Sequence, residues 1–118
     1  MPRINQIKDR IQTGKRSIDQ LCSVKSYLRT NEKFKLAEDY KQILLKHKDD
    51  YNGSIPFIGF VFFHLLVVKY YTDIEINMDY ESFDELMESD VLPSVLDYIQ
   101  SDYELLLKIC NLNLRGDD

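Results

Sequence analysis

Six carboxylates crowd into the twelve residues from Asp79 to Asp90: Asp79, Glu81, Asp84, Glu85, Glu88 and Asp90. Such a cluster can ligate a hard cation, present an acidic face to a basic partner, or simply follow the preference of acids for helix N-termini and solvated faces. A calcium loop alternates its oxygen ligands around a central glycine, and this spacing does not. His47 and His64 are the two histidines of the chain, and neither has further ligands at metal-binding spacing. His64 sits inside an apolar run, where a hydrogen-bonded core histidine is the expected role. Cys22 and Cys110 lie far apart, each in an apolar helical pattern, so they read as packing thiols of a reducing compartment. The four glycines are scattered and form no phosphate-cradling loop. The expectation is therefore a protein that is not an enzyme, with no catalytic residues, no cofactor and no metal.

The bases point the same way. Arg3, Lys8, Arg10, Lys15, Arg16, Lys25 and Arg29 give residues 1–30 seven bases against two acids. Residues 1–50 carry a balance of +5 and residues 51–118 a balance of −10, which together make the −5 of the whole chain. A chain polarised in this way can meet other protein subunits, basic end to acidic end, or fold its ends together and neutralise them. The expected partners are protein subunits in a homo- or hetero-oligomer. The candidate interface consists of Arg3, Lys8, Arg10, Lys15 and Arg16 on one side and Asp79, Asp84, Glu85, Glu88 and Asp90 on the other. Nucleic acid is a minor alternative: the aromatics are not interleaved with the bases, and the isoelectric point is near 5.0.

The elements that must position these residues are helical. With 118 residues, 44% of them hydrophobic and 30% charged, the chain reads as a single all-α domain. Ile4, Ile7, Ile11, Ile18, Leu21 and Leu28 form a narrow seam that predicts a basic amphipathic helix from about Arg3 to about Arg29. Gly14 is placed to kink or break it. The seam needs a cover, either within the chain or on another subunit, and residues 1–30 can also form an extended arm. A second helix, capped by Thr30 or Asn31, runs through Phe34, Ala37, Tyr40, Ile43, Leu44 and His47, making a helical hairpin with the first. Asp49-Asp50-Tyr51-Asn52-Gly53 ends it as a turn, so the Asn52-Gly53-Ser54 sequon is read as a turn and not a glycan site.

Residues 55–68 are apolar almost throughout, with Pro56, Gly59 and His64 inside. About 20 apolar residues are needed to cross a bilayer, so no membrane is expected. A buried helix is preferred over a strand, because Pro56 suits a helix start and the run is long for a strand. Alternation through Asp73–Met78 predicts an extended connector or edge strand. Two or three short acidic helices follow, with capping boxes at Ser82-Phe83-Asp84-Glu85 and Ser101-Asp102-Tyr103-Glu104, another start at Asp90, and a stop at Gly116. The pairs Tyr70-Tyr71 and Tyr98/Tyr103 are candidate interface anchors if exposed. The stretch Met1 to Ile11 is charged, with isolated isoleucines and no continuous apolar core of a secretory signal, so a cytoplasmic location is expected.

One resemblance concerns residues 56–110, just under half of the chain. Pro56-Phe57 opens a hydrophobic helix that ends in Tyr70-Tyr71-Thr72-Asp73-Ile74-Glu75. Tyr80, Phe83-Asp84-Glu85-Leu86, Val91-Leu92 and Val95-Leu96-Asp97-Tyr98-Ile99 follow, before an acidic last helix. This order resembles small, mostly uncharacterised proteins encoded among the head and tail genes of tailed bacteriophages. The resemblance implies a virion or assembly role and supplies no catalytic residues; the basic N-terminal segment departs from it. Two further classes of function stand beside it: a small acidic inhibitor or immunity protein that covers a basic enzyme surface, and nucleic-acid binding through the basic first helix.

Overall fold

Residues 55–71 have apolar side chains on every face, so the helix they form is stable only when surrounded. The computed structural model, which describes residues 2–12 and 17–110, places it at the centre as α4 (Ile55–Tyr71). Every residue from Ile58 to Val68 is buried except the half-buried Phe60, and Tyr71 is buried as well. Pro56 stands in the first turn, where its missing N–H costs nothing. Thr72 ends the helix by turning extended, its N–H and its hydroxyl both donating to the Val68 carbonyl at 3.0 and 2.7 Å.

Before α4 come α1 (Ile4–Gln12), α2 (Ile18–Leu21) and α3 (Thr30–His47); after it come α5 (Tyr80–Glu88), α6 (Val91–Tyr98) and α7 (Gln100–Ile109). Helices α3, α5 and α6 pack against α4, while α7 packs on α3 and α6. The chain is an all-α single domain, and residues 55–68 are helix.

The N-terminal segment is more divided than its spacing predicts. No single helix runs to Arg29: α1 ends at Gln12, the separate α2 ends at Leu21, and Cys22 to Arg29 continue in extended backbone or bends. The reason lies in the connector after α4, which pairs with this stretch. Lys25 N–H donates to the Tyr71 carbonyl at 2.7 Å and Asp73 N–H to that of Ser23 at 3.2 Å, beside a Val24–Thr72 bridge. The predicted edge strand is reduced to such isolated bridges, one of them joining Arg3 to Glu75. Helices α1 and α2 lie against α6, and α3 lies along α4, so the basic N-terminal helices contact different neighbours. Ile4, Ile7, Ile18 and Leu28 are buried. At these four positions the seam is covered within the chain.

Two predicted helix starts are also displaced. Asp79 caps α5, its Oδ1 accepting the Ser82 N–H at 2.8 Å, so the helix begins before the Ser82 box. The box at Ser101 does not form either, because α7 begins at Gln100 and Asp102 is drawn into the core by Lys33. Lys15, Arg16 and Gly116 lie outside the described residues.

Gly59 is required by close packing. A Cβ there would stand 2.5 Å from the Tyr40 hydroxyl but 3.6 Å from the next ring atom. Gly59→Ala is therefore expected to cost about 1–3 kcal/mol by overpacking, although alanine is the better helix former. Adding Tyr40→Phe removes the colliding oxygen, and the double variant should regain most of that loss in urea unfolding. A double variant no more stable than Gly59→Ala alone would show that the collision lies elsewhere.

Candidate interaction site

Helix α5 turns one side inward through three buried residues, Ser82, Phe83 and Leu86. The other side then presents Glu81, Asp84, Glu85 and Glu88 to solvent, together with Met87. No base lies between Asp79 and Asp90, so these acids form an exposed ridge. Asp79 spends one carboxylate oxygen on its cap bond. Asp90 follows the ridge in left-handed backbone (φ 62°), and its carbonyl accepts from the Ser94 hydroxyl at 3.0 Å.

Of the predicted interface residues, the fold brings Arg3, Asp79 and Glu85 together. They line a hollow of about 280 Å³ shared with Glu75, Asn77 and Glu81. Arg3 Nε pairs with Glu75 at 3.3 Å, and Glu75 N–H donates to the Pro2 carbonyl at 2.7 Å. At this point the basic beginning of the chain meets the acidic second half and partly neutralises it. Both side chains are more than half exposed, so the pair adds little stability. Lys8 and Arg10 lie on α1 with exposed side chains.

An aromatic cluster sits where α3 turns into α4, and sequence reasoning did not single it out. The 3₁₀ turn Asp50–Gly53 holds Tyr51, Asn52 and Gly53 at positive φ, with Tyr51 at φ 50°. The Tyr51 ring stands edge-on to Phe57 (centroids 5.6 Å, 84°) and to Tyr80 (5.1 Å, 83°), while Phe57 and Tyr80 are parallel at 6.4 Å. Tyr51 and Phe57 are exposed and Tyr80 is half-buried. The Tyr80 hydroxyl donates to Asp50 Oδ2 at 2.7 Å, and His47 Nδ1 lies 2.8 Å from the same oxygen. These two bonds hold the Asp50 carboxyl below the usual carboxylate range, so it is ionised at neutral pH. The available signal was a tyrosine beside the Asn-Gly pair of a turn and a phenylalanine in the first turn of the helix that follows. The anchors predicted from tyrosine pairs fare differently: Tyr71 is buried, Tyr70 and Tyr103 are half-buried, and Tyr98 alone of the four is exposed.

Beneath these surfaces lie two buried polar groups. Lys33 Nζ stands 2.8 Å from Asp102 Oδ1, donates to the Leu28 carbonyl and lies 3.8 Å from the Tyr27 ring centre. Asp102 Oδ2 accepts from Leu28 N–H at 2.9 Å and from the Tyr71 hydroxyl at 2.6 Å. Burial alone raises the Asp102 pKa, but the bonds from Lys33, Tyr71 and Leu28 outweigh it and hold the carboxyl below its ordinary range. The second group is His64. Its Nδ1 lies 2.7 Å from the Phe60 carbonyl, which can only accept, so Nδ1 carries the proton. Nε2, at 2.8 Å, then accepts from the Tyr103 hydroxyl.

Burial pushes the His64 pKa below the ordinary 6.5, against a smaller upward pull from the Phe60 carbonyl. The unfolded chain therefore binds this proton more readily than the folded one. Stability should be highest above about pH 6.5 and fall as pH drops toward the lower folded value. His64→Gln should flatten that part of the profile, and an unchanged slope would assign it to another group. Both thiols are free, and burial raises each to about 11, which keeps them protonated at neutral pH and poor nucleophiles. Among the described residues, no group of three or more His, Cys, Asp and Glu could hold a metal ion. Nor is any described helix long and apolar enough to cross a membrane.

Comparison with known protein families, with curated proteins and with solved structures finds no match for this chain.

Proposed function

We propose that this protein is a non-enzymatic interaction or assembly protein, working among other protein subunits in a homo- or hetero-oligomer. The observation that carries the reading is the sorting of charge onto different elements. The exposed side of α5 carries four acids and no base, while Lys35, Lys41 and Lys46 stand exposed on α3 and Lys8 and Arg10 on α1. Faces of opposite sign steer encounters between subunits and reject like-charged ones. The named form of the proposal is a head or tail component of a tailed bacteriophage, supported by the resemblance of residues 56–110. Light scattering coupled to size exclusion, at low and high salt, tests it. Assembly that weakens as salt rises supports the proposal. A strictly monomeric protein that also binds no phage structural protein overturns it.

The exposed acids of α5 favour a second reading, an inhibitor or immunity protein that covers a basic enzyme surface. Reversing Asp84, Glu85 and Glu88 to Lys should then abolish inhibition, and full inhibition by the reversed variant would reject the idea.

A further inference from the structure

Tyr80 joins the aromatic cluster to the core, but its outer rings, Tyr51 and Phe57, lie outside the core. Tyr51 leaves 61% of its surface open and Phe57 44%, side by side. Contiguous open apolar side chains mark binding surfaces, whereas scattered ones do not. Tyr51 is moreover held in left-handed backbone, a costly conformation for a bulky residue. Tyr80 is already oriented by Asp50, so a ligand need not order its ring on arrival.

The surroundings select the partner. On α5, Asp84 lies one turn beyond Tyr80 and Met87 two turns beyond, all on one side of the helix. Asp84 and Met87 are exposed. On the other side of the cluster Lys46 and Lys48 are matched by Asp49 and Asp50, whereas residues 79–90 hold six acids and no base. Ring faces attract a cation and carboxylates pair with it; the planar guanidinium of arginine does both at once. A nucleic acid would bring its phosphates against the acidic ridge. A second copy, meeting this patch through a two-fold axis, would bring acid against acid.

We infer that the surface made by Tyr51, Phe57, Tyr80 and Asp84 docks an arginine-containing basic segment of another protein. Its guanidinium groups lie on the rings and pair with the α5 carboxylates. The inference rests on the interaction reading above and names the partner of one of its surfaces.

The test titrates the full ¹⁵N-labelled chain with a peptide of alternating arginine and glycine. Matched lysine and glutamate peptides and an oligothymidylate form the other arms. The arginine peptide should give saturable amide shifts over residues 49–57 and 80–88, the lysine peptide should bind at least about threefold more weakly, and the glutamate peptide should not bind. Tyr51→Ser and Phe57→Ser should each weaken binding about three- to tenfold, and Asp84→Lys about tenfold. Tyr51→Phe, which keeps the ring, and Leu105→Ser, an exposed position on α7, should bind as the parent does. Shifts that miss residues 51, 57 and 80, equal affinity for lysine, preference for the oligothymidylate, or a dimer covering the same residues each overturn the inference. Absent peptide binding with salt-dependent assembly intact removes this inference alone. Peptide binding by a strict monomer that binds no phage structural protein removes the assembly reading alone.

Discussion

Asp102→Asn is expected to lower the stability of the protein by about 3–5 kcal/mol at neutral pH, the cost typical of leaving one buried charge without its partner. Lys33 and Asp102 are each 3% exposed, so water cannot replace what the substitution removes. Asparagine keeps the shape but loses the charge, and its single amide oxygen can accept on the Lys33 side or on the Leu28 and Tyr71 side but not on both, so Lys33 has no counter-charge and a buried donor loses its acceptor. The converse variant, Lys33→Met, should cost less, because Asp102 keeps two donors in Leu28 N–H and the Tyr71 hydroxyl. The double variant should be more stable than the sum of the two losses predicts, since each single change leaves a group that the other removes. Urea midpoints with unchanged slope measure all three. A loss below about 1 kcal/mol for Asp102→Asn, or strict additivity, would show that the pair is not a coupled buried unit.

The same carboxylate sets part of the acid limit. Its folded pKa lies below the ordinary carboxylate value of 3.8, so the stability it contributes is fully present above that value. The contribution is lost as pH falls through the lower folded value. Asp102→Asn should therefore start less stable and lose less on acidification below about pH 4. Parallel acid profiles for parent and variant would contradict this.

Phe62→Ala is the second large effect, about 3–5 kcal/mol. Phe62 is fully buried on α4; it stacks on His47 (4.4 Å, 23°) and meets the edge of Tyr80 (5.2 Å). Its loss removes contacts on both sides of the junction between core and aromatic cluster. Besides the stability change, the His47 ring resonances should move, since they lose the stacked neighbour. A small cost with unmoved His47 signals would mean that the site closes over the gap and that Phe62 does not connect core and surface.

Much of this architecture was legible because helix periodicity reports burial directly. The isoleucines at positions 4, 7 and 18 predicted a buried seam, and they are buried. The apolar run at 55–68 predicted a surrounded element, and from Ile58 onward it is one. What spacing could not show was pairing across the sequence. Residues 22–29 have helical spacing, yet they extend because the backbone of 71–73 offers them hydrogen bonds. Ser101-Asp102-Tyr103-Glu104 has the form of a cap, yet Asp102 is taken by a lysine 69 positions earlier. The candidate interface was legible only in part: the acids of α5 are exposed as their pattern implies, but the rings of Tyr51, Phe57 and Tyr80 meet only through folding.

The placement of α4 at the centre bears on how the protein is made. A ribosome releases this apolar helix before any residue of α5, α6 or α7, and two of those helices are among its covers. Lys33, already synthesised, waits for a counter-charge that arrives with residue 102. Until α5 and α6 emerge, the nascent chain carries an adhesive stretch that has α3 alone among these helical covers. Chaperone demand during synthesis, and precipitation of fragments cut short before α6, follow from the position of one helix in the order of translation.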